Sequence, residues 1–284
     1  MKKIKAAAIS ELVAKIALEA NINFPESITR LIDRAIEQES KPVSKQALSA
    51  ILANIRLAKK LSLPLCQDTG MVEVFIDVGS GVQIELGKFN SLEDAVNKGV
   101  GSAYKKNYFR LSVVDALSRK NTGDNTPAIV HTRIVDGEKV AIKLLVKGFG
   151  SENMGRVANL SPGSGLSEIA DFVVEAVAEA GSRPCPPVLI GCGIGGTMER
   201  ALLLAKESLL YPERLDKANP DKDLRFLERE ILRRVNKLGI GPCGLGGKTT
   251  ALVVKALKFP THIAGLPVAV NISCWALRLA SGEI

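Results

Sequence analysis

Apolar residues recur every three to four positions through the opening segments of the chain and every second position shortly afterwards. Ile9, Leu12, Val13, Ile16 and Ala17 form one stripe, Ile28, Leu31, Ile32, Ala35 and Ile36 a second, and Leu48, Ile51, Leu52 and Ile55 a third. Each stripe predicts an amphipathic helix. Met1 to Ser10 reads as the start of the first helix, because Glu11 and Lys15 interrupt the apolar run before it reaches the length of a secretory signal. Pro25 falls near the first turn of the second helix, where a missing N–H costs least. From Met71 the period becomes two: Val72, Val74, Ile76 and Val78 alternate with Glu73, Phe75 and Asp77, which predicts a strand. The intervening PLCQDTG, residues 64–70, is therefore a helix-to-strand loop that concentrates a thiol, an amide, a carboxylate and a hydroxyl.

Further along, AIVHTRIV and KVAIKLLV flank Asp136, Gly137 and Glu138, which predicts a β-hairpin and hence a partly antiparallel sheet. Helices are expected over Leu166–Ala180, Thr197–Leu210 and Asp223–Leu238, with a short buried strand at PVLI and a loop or flap at YPERLDKANPDKD, residues 211–223. No internal repeat interrupts this order. The pattern predicts a mixed α/β (α+β) fold. A helical N-terminal layer, residues 1–62, would pack on a largely antiparallel or mixed sheet with flanking helices, residues 63–284, in one domain spanning 1–284.

Composition narrows the function. The longest stretch free of Asp, Glu, Lys and Arg, Phe259–Leu277, contains Pro260, Pro267, Asn271 and Ser273 and is a poor membrane span. No membrane partner and a cytoplasmic location are expected. The net charge of +8 is dispersed along the chain, and one Trp, three Tyr and eight Phe leave little to stack on bases, so no nucleic-acid partner is expected. Five cysteines without a secretory signal argue against a disulfide framework, and none forms a C-x-x-C pair of the zinc-knuckle or redox type. Buried thiols, metal ligands or a nucleophile remain. Loop settings beside Pro or Gly suit ligation for Cys66, Cys185 and Cys243, and Cys274 closes a short apolar strand.

Two glycine-rich stretches invite nucleotide readings. GCGIGG, Gly191–Gly196, satisfies G-x-G-x-x-G and supports an alternative as a dinucleotide-binding oxidoreductase, but no second strand ending in Asp or Glu follows about 20 residues on. GPCGLGGKTT resembles a phosphate loop, yet Pro242 stands where the first glycine must be.

PLCQDTG, then SRPCPP followed by IGGT, then LGIGPCGLGGKTT followed by HIAGLPVAVNISC occur in this order. Together they resemble the iron–sulfur class I fumarase and tartrate dehydratase family over nearly the whole chain, and more narrowly the α subunit of its two-subunit form. The resemblance implies a [4Fe-4S] cluster held by Cys66, Cys185 and Cys274, with one iron not ligated by cysteine. Cys192 and Cys243 fall where single-chain members carry other residues and are not expected to be ligands. The resemblance also implies substrate contacts from Gln67, Arg110, the backbone at Gly150, and His262, with Asp68 in acid–base work. The planar fork of Arg110 suits a carboxylate. The implied reaction is reversible hydration of fumarate to L-malate, a step of the tricarboxylic acid cycle, with L(+)-tartrate dehydration as the alternative. A β subunit, in an α2β2 assembly, would supply the second proton-transfer group. The residues themselves leave plainer readings open: Asp68-Thr69-Gly70 as an Asx turn, Arg110 on a solvated helix end, His262 as a core imidazole, Asp124 as a turn cap, and His131 as structural.

Overall fold

The three stripes that open the chain are helices, and the computed structural model, which describes residues 1–284, places all of its elements in the order β1 (Lys2–Lys5), α1 (Ala6–Ile22), α2 (Glu26–Gln38), α3 (Pro42–Leu61), β2 (Met71–Gly79), β3 (Val82–Glu85), α4 (Leu92–Lys106), β4 (Ile129–Val135), β5 (Val140–Lys147), the one-turn α5 (Phe149–Glu152), β6 (Arg156–Leu160), α6 (Leu166–Ala180), β7 (Val188–Gly195), α7 (Met198–Glu207), α8 (Lys222–Lys237), β8 (Ala251–Phe259), β9 (Leu266–Ser273) and β10 (Arg278–Glu283). The class is mixed α/β. Lys2–Lys5, expected to begin the first helix, instead forms a strand parallel to β3 and buries Ile4. No helix is long and apolar enough to cross a membrane.

These elements assort into two compact units, one comprising Met1–Phe24, Leu57–Phe149 and Arg278–Ile284, the other Pro25–Arg56 and Gly150–Leu277. The N-terminal helices divide between them: α1 belongs to the first, α2 and most of α3 to the second.

In the first unit a sheet of order β10-β5-β2-β4 is covered by α1 and α4, with Ile9, Val13, Ile16, Val96, Val100 and Tyr104 buried against Val72, Val74, Ile142 and Leu144. Gly99 lets the two helices approach, since an added Cβ would lie 2.4 Å from the Ser10 carbonyl. The expected hairpin does not form. β4 and β5 are separated by β2, which pairs parallel with β4 and antiparallel with β5. The Asp136–Lys139 link arches over the end of β2, where Gly79 N–H donates to Lys139 O (2.8 Å) and Gly81 N–H to Gly137 O (2.9 Å). β2 takes the centre because its residues from Val72 to Ile76 are all buried, whereas β4 is mostly exposed and suits an edge.

In the second unit a sheet of order β6-β9-β7-β8 has α6 and α8 on one face and α7 on the other. Ile190, Cys192 and Ile194 of β7 enter the core beneath α6 and α8, whereas Gly191 and Gly193 face α7, where an added Cβ would lie 2.0 Å from Ala205 O and 1.9 Å from Ala201 O. GCGIGG is thus a strand whose glycines admit a helix at close range, not a phosphate-binding turn. This removes the dinucleotide alternative. Residues 211–223 are likewise no flap: Asn219 Nδ2 donates to Ala256 O (3.1 Å), Lys255 Nζ to Lys217 O (2.8 Å), and Ala256 N–H to Glu228 Oε1 (2.9 Å). This segment and α8 thereby occupy backbone groups along the free edge of β8.

Candidate active site

The loop between α3 and β2 is held from within the first unit. Leu65 is buried and its N–H donates to Asn21 O (2.9 Å), while Cys66 and Asp68 are half-buried and Gln67 is exposed. Asp68 Oδ1 accepts from Gly70 N–H at 2.9 Å, which is the Asx turn allowed by the sequence, and Oδ2 accepts from Phe149 N–H at 3.1 Å. Both carboxylate oxygens are oriented by backbone donors, and each retains a further lone pair. Thr69 Oγ1 donates to Arg110 O (2.7 Å), so the segment carrying Arg110 lies directly against the loop, and the Arg110 side chain is exposed. Gly70 has φ +62, and an added Cβ there would lie 2.6 Å from Lys147 O.

Sequence reasoning missed the side chains that grip this loop. Arg278 Nη1 donates to Asp68 O, Tyr104 Oη to Thr69 O, and Asn125 Nδ2 to Gly70 O at 3.0 Å. Burial pushes the Tyr104 phenol up to about 12, against a smaller opposing effect of Arg278, so it remains a donor throughout the neutral range. The one available signal was an arginine inside the apolar run Ala276-Leu277-Arg278-Leu279. Asp124 caps a turn, accepting from Thr126 N–H (3.1 Å) and Thr126 Oγ1 (2.6 Å). His131 pairs with Glu73 (2.9 Å) and stacks on Phe75 across β4 and β2.

The second unit holds Gly150, Cys185, His262 and Cys274. β7 runs parallel to β8 and antiparallel to β9, with Leu189 opposite Ser273. Cys185, just before β7, and Cys274, just after β9, therefore leave the sheet at the same end. Cys185 is exposed, with φ +54, and Cys274 is half-buried. Gly150 joins them, since its exposed backbone lies beside Arg183 of the loop carrying Cys185. Cys243 belongs to this end too: it is exposed, with φ +53, and its N–H donates to Pro186 O (2.7 Å). His262 does not. It sits in the exposed turn between β8 and β9, at the opposite end of the sheet, one strand length or about 25 Å away, where its Nδ1 accepts from Ala264 N–H (3.2 Å). It is not a core imidazole.

The loop at residues 241–248 looks phosphate-binding, but the anion it wraps is the protein's own. Glu39, buried between α2 and α3, accepts from Ser40 N–H (2.9 Å), Lys41 N–H (3.0 Å) and Lys248 N–H (2.8 Å). Burial pushes the Glu39 carboxyl up, but these three donors and the Lys248 charge outweigh it and hold the group below its ordinary value. Lys41 Nζ donates to Leu245 O and Ser44 Oγ to Gly246 O, each at 2.6 Å.

The thiols differ in what they could ligate. Cys192 is 0% exposed, and burial, aided by the Glu228 charge, pushes its thiol up to about 12. It is sealed from any ligand. Cys66, Cys185 and Cys274 sit in irregular segments with partial or full exposure and form no disulfide, which suits thiolate donors for an iron–sulfur group.

The class of the protein comes from its relatives: the chain is a member of the fumarate hydratase (fumerase) family of hydro-lyases, whose model matches residues 10–283. It is similar to a Methanocaldococcus jannaschii protein carrying the provisional name L(+)-tartrate dehydratase subunit alpha, with 39% identity over 282 residues and 97% of each chain covered. It is also similar to the L(+)-tartrate dehydratase subunit alpha of Escherichia coli K12, at 29% identity over 274 residues, covering 95% of this chain and 88% of that one. The Shigella sonnei protein of the same name matches to the same extent.

Proposed function

We propose that this chain is the α subunit of an enzyme that reversibly hydrates fumarate to L-malate, carries a [4Fe-4S] cluster on Cys66, Cys185 and Cys274, and works with a β subunit. The observation that carries this reading is the single braced loop that offers Cys66, Gln67 and Asp68 in succession, in a chain of the fumarate hydratase family. When bound, a cluster with three thiolate ligands leaves one iron as a Lewis acid for a substrate hydroxyl and carboxylate.

The chain's own residues bind and move the proton. Arg110 and Gln67 are exposed and carry N–H donors that match a substrate carboxylate, and the exposed Gly150 backbone offers another. Asp68 is assigned acid–base work on the substrate, because its carboxylate is held in a fixed direction. His262 is left out of this set, given its place at the far end of the sheet. A second proton-transfer group is assigned to the β subunit, in an α2β2 assembly. The subunit names of the relatives support such a partner.

Those same names favour a second reading, in which the substrate is L(+)-tartrate. The two are separated by assaying the anaerobically purified α–β complex for loss of fumarate absorbance and for oxaloacetate formed from L(+)-tartrate. About four irons per α chain with a brown visible absorbance are expected. Colourless, iron-free protein with full turnover would overturn the cluster, and full turnover by the α chain alone would overturn the need for a partner.

A further inference from the structure

Three consecutive carbonyls of the Cys66–Gly70 loop are each taken by a side chain sealed from water, and each side chain comes from a different part of the first unit. Arg278 of β10 (1% exposed) takes Asp68 O, Tyr104 of α4 (0%) takes Thr69 O, and Asn125 of the loop before β4 (0%) takes Gly70 O. Any neutral donor would satisfy a carbonyl, so a fully buried guanidinium needs a further reason, because burying a cation is costly unless its charge is used. Its surroundings supply one. A Cβ added at Gly148 would lie 3.2 Å from Arg278 Nη2 and 3.2 Å from Asp68 Oδ2, so guanidinium and carboxylate flank the same glycine. Arg278 Nε has no hydrogen-bond partner, so the side chain is not there to saturate its donors.

We propose that Arg278 is the positioning residue for Asp68, gripping its main chain by a charge-assisted bond while its charge holds the carboxylate against the Gly70 and Phe149 N–H groups, with Tyr104 and Asn125 completing the clamp. This rests on the reading of Asp68 as the proton-transfer group. The clamp itself does not.

The test uses Arg278→Met, which keeps the apolar stem of the side chain without its donors or charge, and Arg278→Lys, which keeps the charge without the fork. Hydrogen exchange on the α chain should show the Gly70 and Phe149 amides exchanging about tenfold faster in Arg278→Met, with β5 amides still protected and Arg278→Lys in between. In the assembled α–β enzyme kcat should fall by about 30-fold in Arg278→Met at a KM within about threefold of the parent, with partial recovery in Arg278→Lys. If Arg278→Met fails to fold, Arg278→Lys and Tyr104→Phe are read in its place, each with a smaller rise in exchange at the same loop. Unchanged exchange, or faster exchange with unchanged kcat, overturns the proposal. So does equal loss in both Arg278 variants with β5 amides exposed, which marks a general structural role. Asp68→Asn distinguishes the two layers: turnover retained there sinks the role of Asp68, whereas turnover lost there but kept in Arg278→Met sinks the positioning alone.

Discussion

Replacing Glu39 by Gln tests whether a carboxylate, and not merely a side chain of that shape, holds the 241–248 loop. In the parent, Oε1 accepts from Ser40 and Lys41 and Oε2 from Lys248. The amide oxygen of Gln can keep the first pair, but its NH2 then faces the Lys248 N–H, donor against donor. Losing one charge-assisted bond at a part-buried site costs about 1.5–3 kcal/mol. For a unit of this size that is a fall in Tm of about 3–12 °C. The pH dependence has a definite sign. Because the folded carboxyl is held below its ordinary value, its stabilisation is fully present above the unfolded pKa near 4.5 and is lost as pH falls through the lower folded value. Denaturant titrations of parent and Glu39→Gln should therefore differ most at pH 7 and draw together as the pH falls below 4.5. A difference under about 0.5 kcal/mol at pH 7, or one that stays constant down to pH 3.5, would refute the reasoning.

Gly193→Ala should destabilise the second unit by about 3 kcal/mol or more, read by chemical denaturation, because the new methyl would lie 1.9 Å from Ala201 O. In metal-free protein, Cys243 should react with a thiol reagent at pH 8 at least about 100-fold faster than Cys192, which is sealed and whose thiol burial pushes up to about 12; equal rates by mass-mapped labelling would contradict the burial of β7. Ser substitution of Cys66, Cys185 or Cys274 should reduce iron to well below the parent's, while Cys192→Ser and Cys243→Ser keep it. Loss of iron in Cys243→Ser with retention in Cys274→Ser would exchange those two assignments.

What could be read from the sequence was what local periodicity determines. The stripes of α1, α2 and α3 coincide with their buried faces, since a helix's neighbours are three and four residues away. β2 was legible as a strand but not as the centre of its sheet, because its partners lie about 60 residues on and the Asp136-Gly137 turn signal is the same whether its arms pair with each other or straddle a third strand. In GCGIGG the alternation of glycine with apolar residues was itself a strand signal, masked by a match to a nucleotide fingerprint. The Cys66–Gly70 loop was visible because its reactive groups are adjacent in sequence. Its clamp was not, because Tyr104, Asn125 and Arg278 are gathered from elements scattered along the chain. His262 was named as a substrate contact by resemblance, and within its own sheet its turn lies at the end away from Cys185 and Cys274.

The first unit is assembled from three separate stretches, and the last of them, Arg278–Ile284, carries the edge strand β10 and one arm of the grip on Asp68. During synthesis the ribosome releases that stretch after every residue of the second unit. The unit begun first is thus finished last, and until β10 docks, β5 waits with an open edge exposed to other nascent chains. A growing chain therefore cannot complete the grip on Asp68 before the residues that fold around Cys185 and Cys274 have all been made.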